Sequence, residues 1–138
     1  GLGLSLSGGA LTATGGGGAS ATFSATWVGG AVGKVVRVTS SVPAVGPSDC
    51  RYAVTVPAIG IVVAMNEDQA TVQTSGIVTG LSGLSAGDPY YVGTNGQLVA
   101  IATVIAQTGT RYAQPIGIAI DASTLSLAID PAILTLTE

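Results

Sequence analysis

The chain has 138 residues, a formal net charge of −3, only 8% charged residues and no histidine; the length fits one domain. Its four basic residues, Lys34, Arg37, Arg51 and Arg111, are too few and too scattered to neutralise a phosphate backbone, so nucleic acid is not an expected partner. Without histidine the chain lacks the commonest general base and transition-metal ligand, which excludes Ser-His-Asp and Cys-His catalysis.

Residues Gly1 to Gly18 are Gly, Leu, Ser, Ala and Thr throughout and end in Gly15-Gly16-Gly17-Gly18. Such a segment cannot offset its own ordering entropy, so 1–19 read as an extended arm ordered by contacts with a neighbouring subunit. Its candidate contact residues are Gly1, Leu2, Leu4, Leu6 and Leu11. A Met before Gly1 would complete the loose myristoylation pattern, but no polybasic second anchor follows, and lipidation is not expected.

From Ser20, Ala21, Phe23, Ala25 and Trp27 fall on one face and Thr22, Ser24 and Thr26 on the other, the period of a half-buried strand. Gly29-Gly30 supplies a turn, and Ala31 to Ser40 continues with Val36 and Val38 on one face and Val35 and Arg37 on the other. The two runs are expected to pair as a hairpin. Ser41 to Asp49 contains Pro43, Gly46 and Pro47 and reads as a connecting loop, closing a first unit at 20–48.

Residues 49–138 read as a barrel or sandwich. Strands are predicted at Tyr52 to Val56, Ile59 to Met65, Ala70 to Thr79, Tyr90 to Gly93, Gln97 to Ala102, Ile116 to Ile120 and Leu125 to Ile129. Cys50 is the only cysteine, so it forms no internal disulfide and is expected to be a small buried hydrophobe. The longest apolar run, Val56 to Met65, is broken by Pro57 and Gly60, short of the ~18 residues of a spanning helix. Aromatic girdles of an outer-membrane barrel do not fit 4% aromatics, so no membrane is expected.

Asn66-Glu67-Asp68 fits a solvated turn and lacks the alternating ligands of a calcium loop. Leu81 to Ala86 is the one stretch that fits a short helical turn. Asn95-Gly96 tolerates positive φ at both centres of a type I′ turn and predicts a hairpin. Arg51-Tyr52-Ala53 before Pro57-Ala58-Ile59-Gly60-Ile61 is echoed by Arg111-Tyr112-Ala113 before Pro115-Ile116-Gly117-Ile118. The echo predicts two equivalent strands, each with a proline at its start and a glycine suited to a bulge or a close backbone approach.

No motif carries chemistry. Asp49, Glu67, Asp68, Asp88, Asp121, Asp130 and Glu138 are spread along the chain, and Asp88 and Asp130 precede prolines in turn-like contexts. The glycine runs lack the Lys-Ser/Thr of a phosphate loop. No catalytic, cofactor-binding or metal-ligating residue is expected, and no cofactor. Trp27, Tyr90 and Tyr91 are read as core aromatics, with a sugar-stacking tip as the alternative. A hydrophobic, charge-poor surface is expected to meet other subunits, because obligate interfaces resemble a core cut in half.

Two stretches carry a resemblance. Gly15 to Val38, a glycine run, then alternating small and aromatic residues, then Gly29-Gly30 and a Val-rich strand, resembles the β-hairpin modules of phage tail-fibre and adhesin-like surface proteins. The second runs from Gly76-Ile77-Val78-Thr79-Gly80-Leu81 through Ala86-Gly87-Asp88-Pro89-Tyr90-Tyr91-Val92, then Asn95-Gly96-Gln97-Leu98 and Gln114-Pro115-Ile116-Gly117-Ile118-Ala119. It is similar to a β-domain recurrent in tailed-bacteriophage virion proteins, including head fibres and decoration proteins.

The resemblance implies an all-β protein of the capsid exterior, assembled in the host cytoplasm, with no catalytic residue. A short domain with an arm looks more like a capsid decoration (cement) protein than a long receptor-binding fibre. Its implied partners are copies of itself, a trimer being favoured, and the major capsid protein, to whose strands the arm would add by β-augmentation. The alternative is a tail fibre, spike or adhesin module that binds a host-surface receptor around Trp27 or Tyr90.

Overall fold

A computed structural model describes residues 21–40 and 44–137; the expected arm at 1–19, with Gly1, Leu2, Leu4, Leu6 and Leu11, lies outside the described residues. The strands are β1 (Ala21–Thr26), β2 (Val35–Ser40), β3 (Ala44–Pro47), β4 (Gly60–Asn66), β5 (Gln69–Val78), β6 (Pro89–Val92) and β7 (Leu98–Val99). After helix α1 (Ile101–Ile105) come β8 (Arg111–Ala113), β9 (Pro115–Asp121), β10 (Thr124–Leu127) and β11 (Leu134–Leu136). The chain is all-β, and the barrel is the architecture realised: β1-β3-β2-β4-β5 closes on itself because β1 also pairs with β5.

β5 is the strand the whole fold turns on. Its first part pairs with β1, from Thr26↔Gln69 to Ala21↔Ser75, and with β4. Its last part, Gly76 to Val78, pairs instead with β10, and from there the sheet runs β10-β9-β6-β7. Gly76 sits at this change of partners with φ +91°, a conformation that only glycine adopts cheaply.

The barrel is narrow, so its interior takes small side chains: Ala25, Val36, Val45, Val62, Ala70 and Val72, with Phe23, Trp27 and Met65 packed against them. A second core lies between the outside of the barrel and the inner face of the second sheet and joins Val35, Val56 and Ile61 to Val78, Tyr90, Val92, Ile116, Leu125 and Leu127. The apolar doublets Val35-Val36 and Ile61-Val62 follow from this layering, one residue of each filling the barrel and its neighbour facing the second core. A third, smaller cluster holds Cys50 with Val104 and Ala113, so the free thiol is buried.

Five expected elements are corrected. The 20–48 hairpin does not form: β1 pairs with β5, and β2 pairs with β3 and β4. The Gly29-Gly30 turn is present, with the Gly30 amide donating to the Trp27 carbonyl at 3.2 Å, but it leads the chain across the barrel instead of back along β1. Part of the expected loop at 41–49 is β3, so strands on both sides of residue 48 belong to one sheet.

Tyr52 to Val56 is a turn, in which the Tyr52 carbonyl accepts from the Thr55 and Val56 amides at 3.2 and 3.1 Å. Gln97 to Ala102 is cut short, since β7 ends at Val99 and α1 begins at Ile101. Leu81 to Ala86 is irregular, with Gly80, Gly83 and Gly87 all at positive φ, which no helical turn accommodates.

The remaining strands stand where the sequence puts them, and Asn95 and Gly96 have φ +52° and +78°, closing the β6–β7 hairpin with the Gln97 amide donating to the Thr94 carbonyl at 3.1 Å. The echo is realised at its glycines. A Cβ on Gly60 would strike the Gln73 carbonyl oxygen and one on Gly117 the Ser126 carbonyl oxygen, and each glycine lies in the first strand of a tight hairpin. The two Arg-Tyr-Ala copies diverge, one entering the turn at Tyr52 and the other forming β8.

Candidate interaction surface

The groups able to do chemistry are held apart. Glu67 and Asp68 occupy the β4–β5 turn, Asp88 precedes β6, Asp121 ends β9, and Asp130 follows β10. Among the described residues no three of His, Cys, Asp and Glu come together around a possible metal position.

Apart from Ser48, whose hydroxyl finds no partner among the described residues, the buried polar side chains bond to backbone groups. Asp49 takes a bidentate pair from Arg51, Nε at 2.9 Å and Nη2 at 2.7 Å, and accepts the amides of Arg51 at 3.0 Å and Asn95 at 3.1 Å. The Arg51 guanidinium therefore holds its carboxyl below the usual carboxylate range, against the opposing effect of burial. Buried Gln114 accepts the Ala58 amide at 2.8 Å and donates to the Asp130 carbonyl at 3.0 Å. Arg111 lies buried with its guanidinium on the carbonyls of Gly109 (2.8 Å) and Ile105 (2.9 Å), where it caps the end of α1. None of these roles was legible in the sequence; the one usable signal was Asp49 standing two residues before Arg51.

A cleft of about 500 Å³ runs between the barrel and the second sheet and is lined by Gly33, Lys34, Leu81, Leu84, Gln97 and Leu98 among others. Its charged side chain, Lys34, reaches the Asn95 carbonyl at 3.4 Å. No carboxylate or histidine lines the cleft to complete an acid–base pair.

The outer face of the second sheet is the feature that asks for a partner. Register aligns Pro89 with Ile118, Ile118 with Ser126, and Ser126 with Ile77, a row across β6, β9, β10 and β5. Ile77, Ile118 and Ile120 are 42%, 54% and 50% exposed. The inner face is packed, with Val78, Tyr90, Ala119, Leu125 and Leu127 buried. Antiparallel sheets usually turn polar residues to the solvated side, and here Ile118 and Ile120 of β9 face out while Gly117 and Ala119 face in.

The cause is a bulge. Tyr90 stands opposite Gly117 and Tyr91 opposite Pro115, which leaves Ile116 as the extra residue of β9. The bulge turns Ile116 into the core and sets Ile118 and Ile120 on the outer face. The sequence placed this strand correctly but carried no sign of which of its faces would be covered.

The three aromatics singled out from the sequence are not brought together. Trp27 packs against the barrel interior with its ring over Gly30, Tyr90 is buried in the second core with its hydroxyl accepting the Ser85 amide at 2.8 Å, and Tyr91 borders the Cys50 cluster. They offer a sugar no shared platform.

Compared with known proteins, the chain matches no family model and no curated protein sequence.

Proposed function

We propose that this protein is a non-enzymatic structural component of a bacteriophage virion, a capsid decoration (cement) protein that works as an oligomer, with a trimer favoured. The observation that carries the proposal is the uncharged row Pro89–Ile118–Ser126–Ile77 with Ile120 beside it, an apolar sheet face turned to solvent on a chain with little charge elsewhere. Exposed contiguous apolar surface of this kind marks protein contact. The resemblance of 76–119 to virion β-domains names the setting. A decorator that binds only the assembled shell stabilises it by mass action.

The test is the double substitution Ile118→Asp/Ile120→Asp, which adds charge on the outer face and leaves the packed one untouched. Light scattering is expected to report a fall from oligomer to monomer, and binding to undecorated shells to weaken at least about tenfold, which is ~1.4 kcal/mol. Far-UV circular dichroism should not change. An unaltered mass together with unaltered shell binding would overturn the proposal.

A further inference from the structure

Among the described residues β11 is paired along one edge only. It lies antiparallel to β8 in the register Leu134↔Ala113, Thr135↔Tyr112 and Leu136↔Arg111. The far edge of β8 is already occupied, because the Tyr112 amide donates to the Cys50 carbonyl at 2.7 Å. Successive residues of a strand turn their backbone groups to opposite edges. Tyr112 therefore points away from β11, and Thr135, which faces it, points its own N–H and C=O away from β8. Among the described residues no backbone group meets Thr135 on that open side.

The surroundings of this edge are mostly apolar. Leu134 is 63% exposed and borders a groove of about 420 Å³ whose other walls include Tyr91, Ile101, Ala113, Pro115 and Ile133, with Asp130 as its one charged residue. Natural sheets blunt an open edge by keeping it short, by a charge, a proline or a bulge, or by a cover. Leu134-Thr135-Leu136 is short but has neither charge nor proline, and its exposed leucine suits a cover.

The chain supplies a matching strand. Leu2, Leu4 and Leu6 alternate with Gly3 and Ser5, the period of a strand and the same Leu-x-Leu spacing as Leu134 and Leu136, with no charge and no proline. Residues 1–20 precede β1 and reach roughly 65 Å when extended, whereas a domain of this size is roughly 35 Å across. Length thus places the open edge within range.

We propose that residues 2–6 add to β11 as a further strand, bonding through the free backbone groups of Thr135 and laying their leucines over Leu134 and the groove. This β-augmentation gives the arm a partner within the protein's own copies, in place of a capsid strand. It does not depend on a virion role and is tested without a capsid.

Amide hydrogen exchange on the full chain reads the contact directly. The Thr135 amide is expected to be protected on the order of 100-fold, and Leu2→Ser/Leu4→Ser/Leu6→Ser to remove that protection while the Val72 amide of β5 keeps its own. A peptide of residues 1–12 added to the triple variant should restore the protection. Thr135→Pro removes an outward donor and spares the bonds to β8, so it should abolish peptide binding in the triple-variant background. Fast exchange at Thr135 in the full chain overturns the proposal, as does protection that survives the triple substitution in a folded protein. Should Thr135→Pro fail to fold, the leucine substitutions decide alone, with the Val72 amide as the control for folding.

Discussion

Asp49 ties three things together at one carboxylate: the Arg51 guanidinium, the Arg51 amide and the Asn95 amide at the tip of the β6–β7 hairpin. Asp49→Ala leaves those amides without their acceptor and is expected to cost about 2 kcal/mol, measured as a lower urea midpoint. The same carboxyl gives acid sensitivity a definite sign. Its folded pKa lies below 3.8, first because Arg51 bonds to it. A group of this kind contributes its stability above the unfolded value near ~4, and the contribution is lost as pH falls through the lower folded value. Asp121, held down by the Ser123 amide, acts in the same direction. Near-UV circular dichroism during acid titration should show Asp49→Asn with a shallower decline below about pH 4 than the parent chain.

Two glycines separate two kinds of residue-level constraint. A Cβ at Gly117 meets the Ser126 backbone, which no rotamer change relieves, so Gly117→Ala is expected to cost about 3 kcal/mol. Gly83 has φ +76° and open space around it, so Gly83→Ala should cost about 1 kcal/mol from backbone strain alone. Urea midpoints of the two variants check the difference. The glycine in Pro115-Ile116-Gly117 was legible as a close approach because its echo at Gly60 recurs in the same context, and both positions bear that reading out. Asp49 was not legible, since a single acid in a proline-flanked stretch looks like solvated loop.

At the scale of elements, β5 makes the barrel and the second sheet one cooperative unit, because neither can lose it and keep its pairing. Unfolding in urea followed by Trp27 fluorescence, which reports the barrel, should coincide with near-UV dichroism of the tyrosines, three of which, Tyr90, Tyr91 and Tyr112, lie in the other two clusters. Two separate midpoints would show that β5 breaks at Gly76. The elements that were legible had local causes: positive φ at Asn95-Gly96, and alternation in β4, β5 and β6. The misread ones were decided at a distance. Tyr52 to Val56 alternates as a strand would, yet among the described residues no strand pairs with it, and the Tyr52 carbonyl takes the Thr55 and Val56 amides, which makes the segment a turn. Ile101 to Ile105 has the composition of a strand, but it is a single helical turn closed by Arg111, a residue the sequence holds well downstream.

For the whole molecule, composition was enough to give the class and not the pairing. Alternation fixes which side chains share a face and is silent on which strand lies next to which, so β1 could be assigned its buried face and still be given β2 for a partner that is in fact β5. The same gap hid the exposed apolar face. In Ile116-Gly117-Ile118-Ala119-Ile120 the bulky residues were the natural candidates for the core, and one extra residue opposite Tyr90 and Tyr91 sends two of the three outward.

Cys50 has a practical consequence. Its thiol is sealed against Val104 and Ala113, beneath a five-residue helix whose N-terminus has no side-chain cap, and burial raises its pKa, with the charge of Asp49 adding to the effect. An electrophile in solution can alkylate that sulfur only while this corner of the fold stands open. The rate at which the native protein is alkylated is therefore an intrinsic gauge of how often α1 lifts, and assembly that clamps the corner shut would slow it with no label introduced.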